Sequence, residues 1–270
     1  MSGWRSTSPL PGLQPDTGPW GLSRRRFLAA LSGLVILAGC GSPEPDLSWE
    51  KVRASGRLRV ALDPSYPPLS DLDSAGRPVG FEPDLCRSLA AELDLRPDFL
   101  TDSVEVLADL VFTGRADVAA GLNPGPEYEK RFRFTSPYID VGYFLVTVPG
   151  ARTGRLGFEA AGEAEARARE VARRRSLEPV AYWSARDAAR AVASGEVDAA
   201  VLNYIVARQA LSLNPGLVIE SPPLISRPLG LLLRADARTL YDHVEGALTG
   251  LRAAGVLAAL ERSWFGGPAP

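Results

Sequence analysis

The sequence predicts an α/β protein of two similar lobes, each built on a mainly parallel sheet flanked by helices. The first observation is a strand, hairpin, helix, strand, helix, strand order over residues 57–122, which is typical of parallel sheets. The second is that strands and helices alternate again over residues 156–202. The third is a signature shared by both segments, at 114–120 and 195–201, in which a helix end is followed by Gly, Asp and a buried strand. A repeated unit of this kind predicts two equivalent lobes.

Local patterns predict each element of the first lobe. Residues 57–62 alternate polar and apolar side chains, as a strand does. The prolines after Asp63 end that strand because they cannot continue a ladder. Leu85, Leu89 and Leu93 share one helical face. The other predictions are a turn at 73–78 between two short extended pieces, a helix at 83–93, a strand at 96–100, a helix at 104–112 capped by Gly114, and a strand at 117–122.

The second lobe and its connections are predicted in the same way. Its elements are a strand at 156–158, a charged, alanine-rich helix at 162–175, a strand at 180–182, a helix at 185–193 and a buried strand after Asp198, at 199–202. Extended segments at 143–148 and 226–234 flank this lobe, and helices follow from 240 to 264. The simplest arrangement returns those helices to lobe one, so that two strands cross between the lobes as a hinge.

The N-terminus predicts an exported lipoprotein. Three arginines at 24–26 precede an apolar run at 27–38, which is shorter than the ~20 residues that a membrane-spanning helix needs. Cys40 completes Leu-Ala-Gly-Cys, which resembles the lipobox in which the cysteine is acylated and becomes the new N-terminus. The alternative is a short buried helix. An arginine-rich segment of this kind occurs in signals for both the twin-arginine and the general secretory export route, so the sequence does not distinguish the two.

Domain boundaries follow from these features. Residues 41–46 are rich in Gly, Ser, Pro and acids, so they predict a flexible tether. We expect an export signal at 1–39, a lipid-anchored tether at 40–52, lobe one at 53–145, lobe two at 146–230 and a C-terminal return to lobe one at 231–267. The protein would then sit on the outer face of the cytoplasmic membrane, on its periplasmic or extracellular side.

The composition argues against several classes of protein. The chain has 30 basic and 32 acidic residues, whereas a nucleic-acid-binding protein shows a basic excess or stripe. With Cys40 acylated, Cys86 has no disulfide partner, and its helical context predicts a buried small hydrophobe. The one histidine, His243, argues against a zinc site and histidine-based catalysis. We therefore expect no metal, no cofactor and no nucleic-acid partner.

A series of motifs occurs in a consistent order through the chain after the tether. They are Gly-Arg-Leu-Arg-Val at 56–60, Asp-Pro-Ser-Tyr-Pro-Pro at 63–68, Gly-Phe-Glu-Pro-Asp-Leu at 80–85, Gly-Arg-Ala-Asp at 114–117, Phe-Thr-Ser-Pro-Tyr at 134–138, Gly-Glu-Val-Asp-Ala-Ala at 195–200 and Ser-Trp-Phe-Gly at 263–266. With these motifs the chain resembles the extracytoplasmic solute-binding proteins of ABC importers, family 3, the amino-acid type.

This resemblance implies a two-lobed, type II periplasmic-binding-protein fold that closes on a hinge around a ligand in the cleft. It implies a small polar solute, either an amino acid or a related amine or polar metabolite, and an ABC permease as partners. It also implies a monomer without enzymatic activity.

The resemblance also shows where this chain departs from amino-acid-binding members. In those, an arginine before the Phe-Ser/Thr-x-Pro-Tyr motif grips the ligand carboxylate as a bidentate pair, and here that position is Tyr128. The Thr or Ser that opens the lobe-two helix is Glu163, the carboxylate that meets the α-amine is Asn203, and the stacking aromatic is Val104. Because Glu163 would repel an anion at a helix start that otherwise attracts one, the sequence argues against an ordinary α-amino acid ligand.

Polar and aromatic residues at the strand ends and helix starts are predicted to bind the ligand. They are Asp63, Tyr66, Asn123, Tyr128, Glu163 and Asn203. For Asp63 the alternative is a cap beside Pro64, and for Glu163 it is a helix acid that is favourable with the dipole. Asn203 follows a strand, and the carboxyl ends of strands face the binding crevice. Acids at 63 and 163 would favour a cationic or polyhydroxylated ligand.

Three further alternatives stay open on the sequence. Arg131 or Arg133 would restore a carboxylate grip if either reached the cleft, although the charged run at 129–133 is more typical of a solvated face. The protein would also suit a solute-sensing accessory lipoprotein. A cyclohexadienyl-dehydratase-like enzyme on the same fold would use Glu163 as its acid.

Overall fold

The computed structural model describes residues 45–266. From Asp46 onward the described chain forms one compact unit. The predicted export signal at 1–39 and the predicted lipidation site at Cys40 lie outside the described residues. Among residues 45–266, none of the helices combines the length and the apolar composition that a membrane span requires.

Short strands and helices alternate along the described chain. The helices are α1 (Ser48–Ser55), α2 (Phe81–Glu92), α3 (Val104–Phe112), α4 (Glu165–Arg175), α5 (Ala185–Ala193), α6 (Tyr204–Leu213), α7 (Arg238–Ala253) and α8 (Val256–Phe265). The strands are β1 (Arg57–Leu62), β2 (Asp71–Leu72), β3 (Pro78–Val79), β4 (Arg96–Thr101), β5 (Val118–Leu122), β6 (Phe132–Phe134), β7 (Ile139–Asp140), β8 (Tyr143–Thr147), β9 (Arg155–Glu159), β10 (Glu178–Tyr182), β11 (Ala199–Asn203), β12 (Val218–Ile225) and β13 (Pro228–Arg234).

The first sheet belongs to lobe one and has the strand order β4-β1-β5-β13-β6. Strand β1 is parallel to β4 and β5. The late strand β13 enters between β5 and β6 and runs antiparallel to both. Helices α7 and α8 then pack against α2. The C-terminal helices therefore pack on the side of lobe one that α2 covers.

The second sheet belongs to lobe two and has the strand order β10-β9-β11-β8-β12. Strands β10, β9 and β11 are parallel, and β8 is antiparallel to β11 and β12. Antiparallel pairs thus occur in each sheet at the strands that enter or leave the lobe. The predicted fold class, an α/β fold with two mainly parallel sheets, is confirmed.

Two short segments cross between the sheets, and we call residues 140–143 and 225–228 the crossing pair. The chain passes from β7 to β8 through the first segment and from β12 to β13 through the second. The Val141 amide donates to the Arg227 carbonyl at 3.0 Å, so the segments lie side by side. They occur where the sequence predicts the two connections.

One carboxylate holds the crossing pair together. The Asp140 side chain accepts hydrogen bonds from the Gly142 amide at 2.8 Å, the Arg227 amide at 2.8 Å and the Ser226 hydroxyl at 2.6 Å. A Cβ atom on Gly142 would lie 1.9 Å from the Ile225 carbonyl oxygen. Only glycine therefore allows the two segments to approach this closely.

Aromatic packing joins both lobes beside the crossing pair. The Phe81 ring lies 6.2 Å from Tyr138 and 5.2 Å from Phe265. Tyr204, at the start of α6, lies 6.2 Å from Phe265 and 5.5 Å from Phe144. Phe265 comes from the Ser-Trp-Phe-Gly motif, so that motif has a packing role here.

The predicted tether at 40–52 needs a correction at its C-terminal end. The structure places residues 48–52 in α1, which packs against α7. The Trp49 ring stacks on His243 with ring centroids 4.1 Å apart, and Asp46 accepts from the Thr239 amide at 2.7 Å. These contacts bring residues 46–52 into the folded unit because they bury one face of α1.

The charged run at 129–133 also needs a correction, because it is more than a solvated face. Phe132 is buried and begins β6, which pairs with β13. Strand β12 and helix α6 were not predicted either. Pro222 and Pro223 lie inside β12, where prolines argue against a strand assignment.

Candidate functional site

The candidate site lies where the strands of both sheets end. In open α/β sheets, ligands bind in the crevice outside the carboxyl ends of the strands. The relevant ends belong to β1 and β5 in lobe one and to β9 and β11 in lobe two. The six predicted site residues lie in these ends or in the loops that follow them, and their surroundings differ from one residue to the next.

Asp63 uses both carboxylate oxygens in local structure. Its Oδ1 accepts from the Ser65 amide at 2.9 Å and the Ser65 hydroxyl at 2.6 Å. Its Oδ2 accepts from the amide of Val104, the first residue of α3, at 2.9 Å. The geometry therefore supports the capping alternative for Asp63, since it ties the end of β1 to the start of α3.

The two predicted tyrosines have different surroundings. Tyr66 has 57% of its surface exposed, so its ring faces solvent. Tyr128 packs edge-on against Phe132 and Phe134, with centroids 6.0 and 5.4 Å away. Burial raises the pKa of the Tyr128 hydroxyl because it disfavours the charged form. Tyr128 thus belongs to an aromatic cluster at the edge of the lobe-one sheet.

Asn123 and Glu163 are connected through the crossing pair. The Asn123 Nδ2 donates to the Pro228 carbonyl at 2.7 Å. The guanidinium of the preceding residue, Arg227, donates from Nη2 to Glu163 Oε1 in an ion pair. Asn123 of lobe one and Glu163 of lobe two are therefore connected through Arg227 and Pro228, two consecutive residues of the second crossing segment.

Tyr143 lies beside this ion pair. Its pKa is raised by burial and by the negative charges of Glu163 and Glu159, while Arg227 acts in the opposite direction. The Arg227 and Glu163 side chains each remain 45% exposed. The pair is therefore reachable from solvent and is not a sealed structural salt bridge.

Asn203 is a helix cap. Its Oδ1 accepts from the Val206 amide at 3.0 Å, and it precedes the first residue of α6. This contact satisfies one of the free amides at the start of that helix. Because α6 was not predicted, the capping role of Asn203 was not predicted either.

The two arginines proposed as alternative anchors stack on aromatic rings. The Arg131 guanidinium lies 4.9 Å from the centroid of Phe112, and the Arg133 guanidinium lies 3.9 Å from that of Tyr241 in α7. Such cation–π contacts hold both side chains on the edge of lobe one. The residue that sequence reasoning missed is Arg227, which the predicted extended segment at 226–234 could have placed at the hinge.

The loop before α4 contains a strained residue. Ala161 has a φ of 55°, a left-handed conformation that costs a residue with a Cβ roughly 1–2 kcal/mol. Its amide donates to the Glu165 carboxylate at 3.0 Å, which helps to hold it there. The strain lies two residues before Glu163.

We therefore expect Ala161→Gly to stabilise the protein by about 0.5–1 kcal/mol. Glycine adopts this φ without strain, but it also raises the conformational entropy of the unfolded chain, which offsets part of the gain. Urea unfolding measures the change. Ala160→Gly is the control and should be destabilising, since residue 160 has no positive φ. A loss of stability in Ala161→Gly would show that the left-handed conformation is not adopted in solution.

No group of three or more His, Cys, Asp or Glu side chains within residues 45–266 is arranged to hold a metal ion. Cys86 is fully buried, and its pKa is raised by burial. This fits the predicted small hydrophobe.

Comparisons with known proteins agree with this architecture. A sequence model described as "Bacterial extracellular solute-binding proteins, family 3" matches residues 58–267. The "Putative ABC transporter arginine-binding protein 2" of Escherichia coli (strain K12) is 25% identical over 223 residues, which cover 78% of this chain and 92% of that protein.

Two solved structures are also similar. An ancestral cationic amino acid solute binding protein has a TM-score of 0.61 and 25% identity, and the match covers 80% of this chain and 98% of that one. An ancestral cyclohexadienyl dehydratase has a TM-score of 0.67 and 22% identity, and the match covers 80% of this chain and 95% of that one. The second likeness concerns the fold alone.

Proposed function

Because this chain belongs to family 3 of the bacterial extracellular solute-binding proteins, we propose that it is a lipid-anchored receptor that binds a small polar solute between its lobes and passes it to an ABC permease. The observation that carries the proposal is that the family match at 58–267 contains both sheets and both crossing segments. The family works outside the cytoplasm, which agrees with the predicted export signal.

Amino acids and related amines are the solutes that we propose. The support is that the similar proteins described above are named for binding arginine or cationic amino acids. The exposed Glu163 carboxylate and the exposed Tyr66 ring, both in loops that follow strand ends, suit a ligand with an amine and a flat or apolar part. The sequence argues against an amino acid ligand because Tyr128 stands where related proteins have an arginine that binds the ligand carboxylate. Arg227, which lies outside the matching motifs, supplies a cation that could bind that carboxylate instead.

Ligand binding would close the lobes about the crossing pair. Two short antiparallel segments are the kind of element that absorbs a change in φ and ψ during hinge motion. Asp140 and Gly142 would define the pivot because they fix how closely the segments approach. We propose no catalytic role, since Glu163, the acid that a dehydratase would use, is paired with Arg227.

A thermal-shift screen of residues 40–270 carrying Cys40→Ser tests the binding function. A ligand at 100 times its Kd adds about 2.7 kcal/mol of stability, which gives a clear rise in melting temperature. The screen would contain amino acids, polyamines, sugars and small carboxylates. A flat response to all of these classes at millimolar concentration would contradict the proposal.

The predicted anchor is tested separately. We expect Cys40→Ser to move the protein from the membrane fraction to the soluble extracytoplasmic fraction, because acyl chains supply the membrane affinity. Cys86→Ala is the control and should stay in the membrane fraction, since Cys86 is buried in the fold. If Cys40→Ser fractionated with membranes like the unaltered protein, the anchor proposal would be wrong.

A further inference from the structure

The ion pair between Arg227 and Glu163 joins parts of the molecule that are distant in sequence. Arg227 belongs to the second crossing segment, and its amide is fixed by Asp140 at 2.8 Å. Glu163 lies in the loop that follows β9 and leads into α4. Asn123, directly after β5, donates from Nδ2 to the carbonyl oxygen of Pro228, the residue that follows Arg227, at 2.7 Å. The pair therefore lies where the strand ends of both lobes meet the connection between them.

The pair has the properties of an exchangeable contact. Both side chains are 45% exposed, and an ion pair at such exposure contributes only ~0–1 kcal/mol to stability. A ligand that offers a carboxylate to Arg227 and an ammonium to Glu163 would replace each partner with an equivalent charge. The guanidinium suits this role because its planar fork can hold a carboxylate through two parallel hydrogen bonds.

On the basis of the proposed solute-binding function, we infer that Arg227 is the carboxylate anchor of this chain and that Glu163 receives the ligand's ammonium group. The ion pair is then the ligand-free arrangement of the site. The ligand class is a zwitterion whose carboxylate and amine are attached to the same carbon atom, as in an α-amino acid. This assignment replaces the anchor at position 128, where a tyrosine packs against phenylalanines.

A matched ion pair elsewhere in lobe two provides the control. Arg175 pairs with Glu220 and has 47% and 35% exposure in the two side chains. Arg175 is the last residue of α4, so this pair lies at the helix end opposite to Glu163. Removing either pair costs similar stability, but only one pair lies at the strand ends.

The test is calorimetric titration of residues 40–270 carrying Cys40→Ser with the twenty L-amino acids and their α-carboxamides, which lack the carboxylate. Arg227→Gln should weaken binding of the acid by about 10- to 100-fold, the effect of losing charge-assisted hydrogen bonds. It should leave the weaker binding of the carboxamide nearly unchanged. Arg227→Lys should bind with intermediate affinity because it keeps the charge and loses the planar fork.

The partner and the control complete the test. Glu163→Gln should weaken binding of the acid and of the carboxamide alike, since both carry the ammonium. Arg175→Gln should bind as the unaltered protein does. Melting temperatures without ligand show that each variant is folded.

Several outcomes overturn the inference. If Arg227→Gln bound the L-amino acid as tightly as the unaltered protein does, the inference would be wrong, although the receptor function would stand. Binding of polyamines or sugars in the thermal-shift screen, with no amino acid bound, also overturns it while the receptor function stands. Binding of none of these compounds overturns the receptor function together with the inference.

Discussion

Replacing Gly142 by alanine is expected to lower the free energy of unfolding by about 3 kcal/mol or more. The new Cβ would lie 1.9 Å from the Ile225 carbonyl oxygen and 2.8 Å from the Asp140 carboxylate. Neither backbone segment can move away without breaking the hydrogen bonds that Asp140 accepts. Overpacking of this kind costs ~1–3 kcal/mol when neighbours relax and more when they cannot. Urea unfolding followed by circular dichroism measures the loss.

Gly246→Ala is the matched control for this prediction. Gly246 lies within α7, and its added Cβ would meet nothing within 4 Å. Since glycine weakens a helix interior, this control should gain about 0.5–1 kcal/mol. A Gly142→Ala variant as stable as the unaltered protein would show that the crossing pair is looser than the structure indicates. Such a result would also remove Gly142 from the proposed pivot.

Replacing Glu82 by alanine is expected to cost about 3–5 kcal/mol of stability. Glu82 is 2% exposed and accepts hydrogen bonds from the Tyr138 hydroxyl at 2.7 Å and the Ser70 hydroxyl at 3.1 Å. The Tyr138 oxygen in turn accepts from the Gly121 amide at 2.9 Å. Alanine would leave two buried hydroxyl donors without their acceptor and would open a cavity.

Leu72→Ala is the control for Glu82→Ala. Leu72 is 40% exposed in the small hairpin of the same lobe, so its truncation should cost less than about 1 kcal/mol. Chemical denaturation at neutral pH compares the two variants. A cost for Glu82→Ala no greater than that of Leu72→Ala would contradict the buried network.

Glu82 also predicts a pH dependence of stability. Burial raises its pKa, and the hydrogen bonds from Tyr138 and Ser70 only partly oppose this. The folded state therefore keeps the proton at a higher pH than the unfolded chain does. The stability that this group contributes is present below the ordinary glutamate pKa of about 4.3 and is lost as pH rises through the folded pKa. The stability of the unaltered protein relative to Glu82→Gln should fall over that window, and a constant difference would contradict the shift.

Local patterns predicted most of the fold. Helices α3 and α5 have the predicted bounds at 104–112 and 185–193, because an apolar face and clear ends mark them in the sequence. Helix α1 was missed because the Gly, Ser and Pro residues before it suggested that the whole segment was a tether. Strand β12 was missed because its prolines conceal a strand whose pairing comes from β8 across the sheet.

The candidate site was less predictable because its contacts are long-range. Asp63 and Asn203 were identified from their places after strands, but their local capping contacts depend on the starts of α3 and α6. The role of Arg227 depends on Glu163, 64 residues away in the chain. No local pattern connects two such residues, whereas the crossing of the chain between the lobes brings them together.

Closure of the two lobes around a bound solute is tested most directly by measuring a distance between the lobes with and without ligand. Asp102 follows β4 in lobe one, Arg186 lies in the first turn of α5 in lobe two, and both residues are exposed. Spin labels attached to Asp102→Cys and Arg186→Cys would therefore report the distance between the strand-end sides of the two lobes. Cys86 is buried and would not react. Pulsed electron paramagnetic resonance on the soluble Cys40→Ser form should show a shorter, narrower distance distribution when the solute found in the thermal-shift screen is added. An unchanged distribution at saturating solute would contradict closure of the lobes around a ligand.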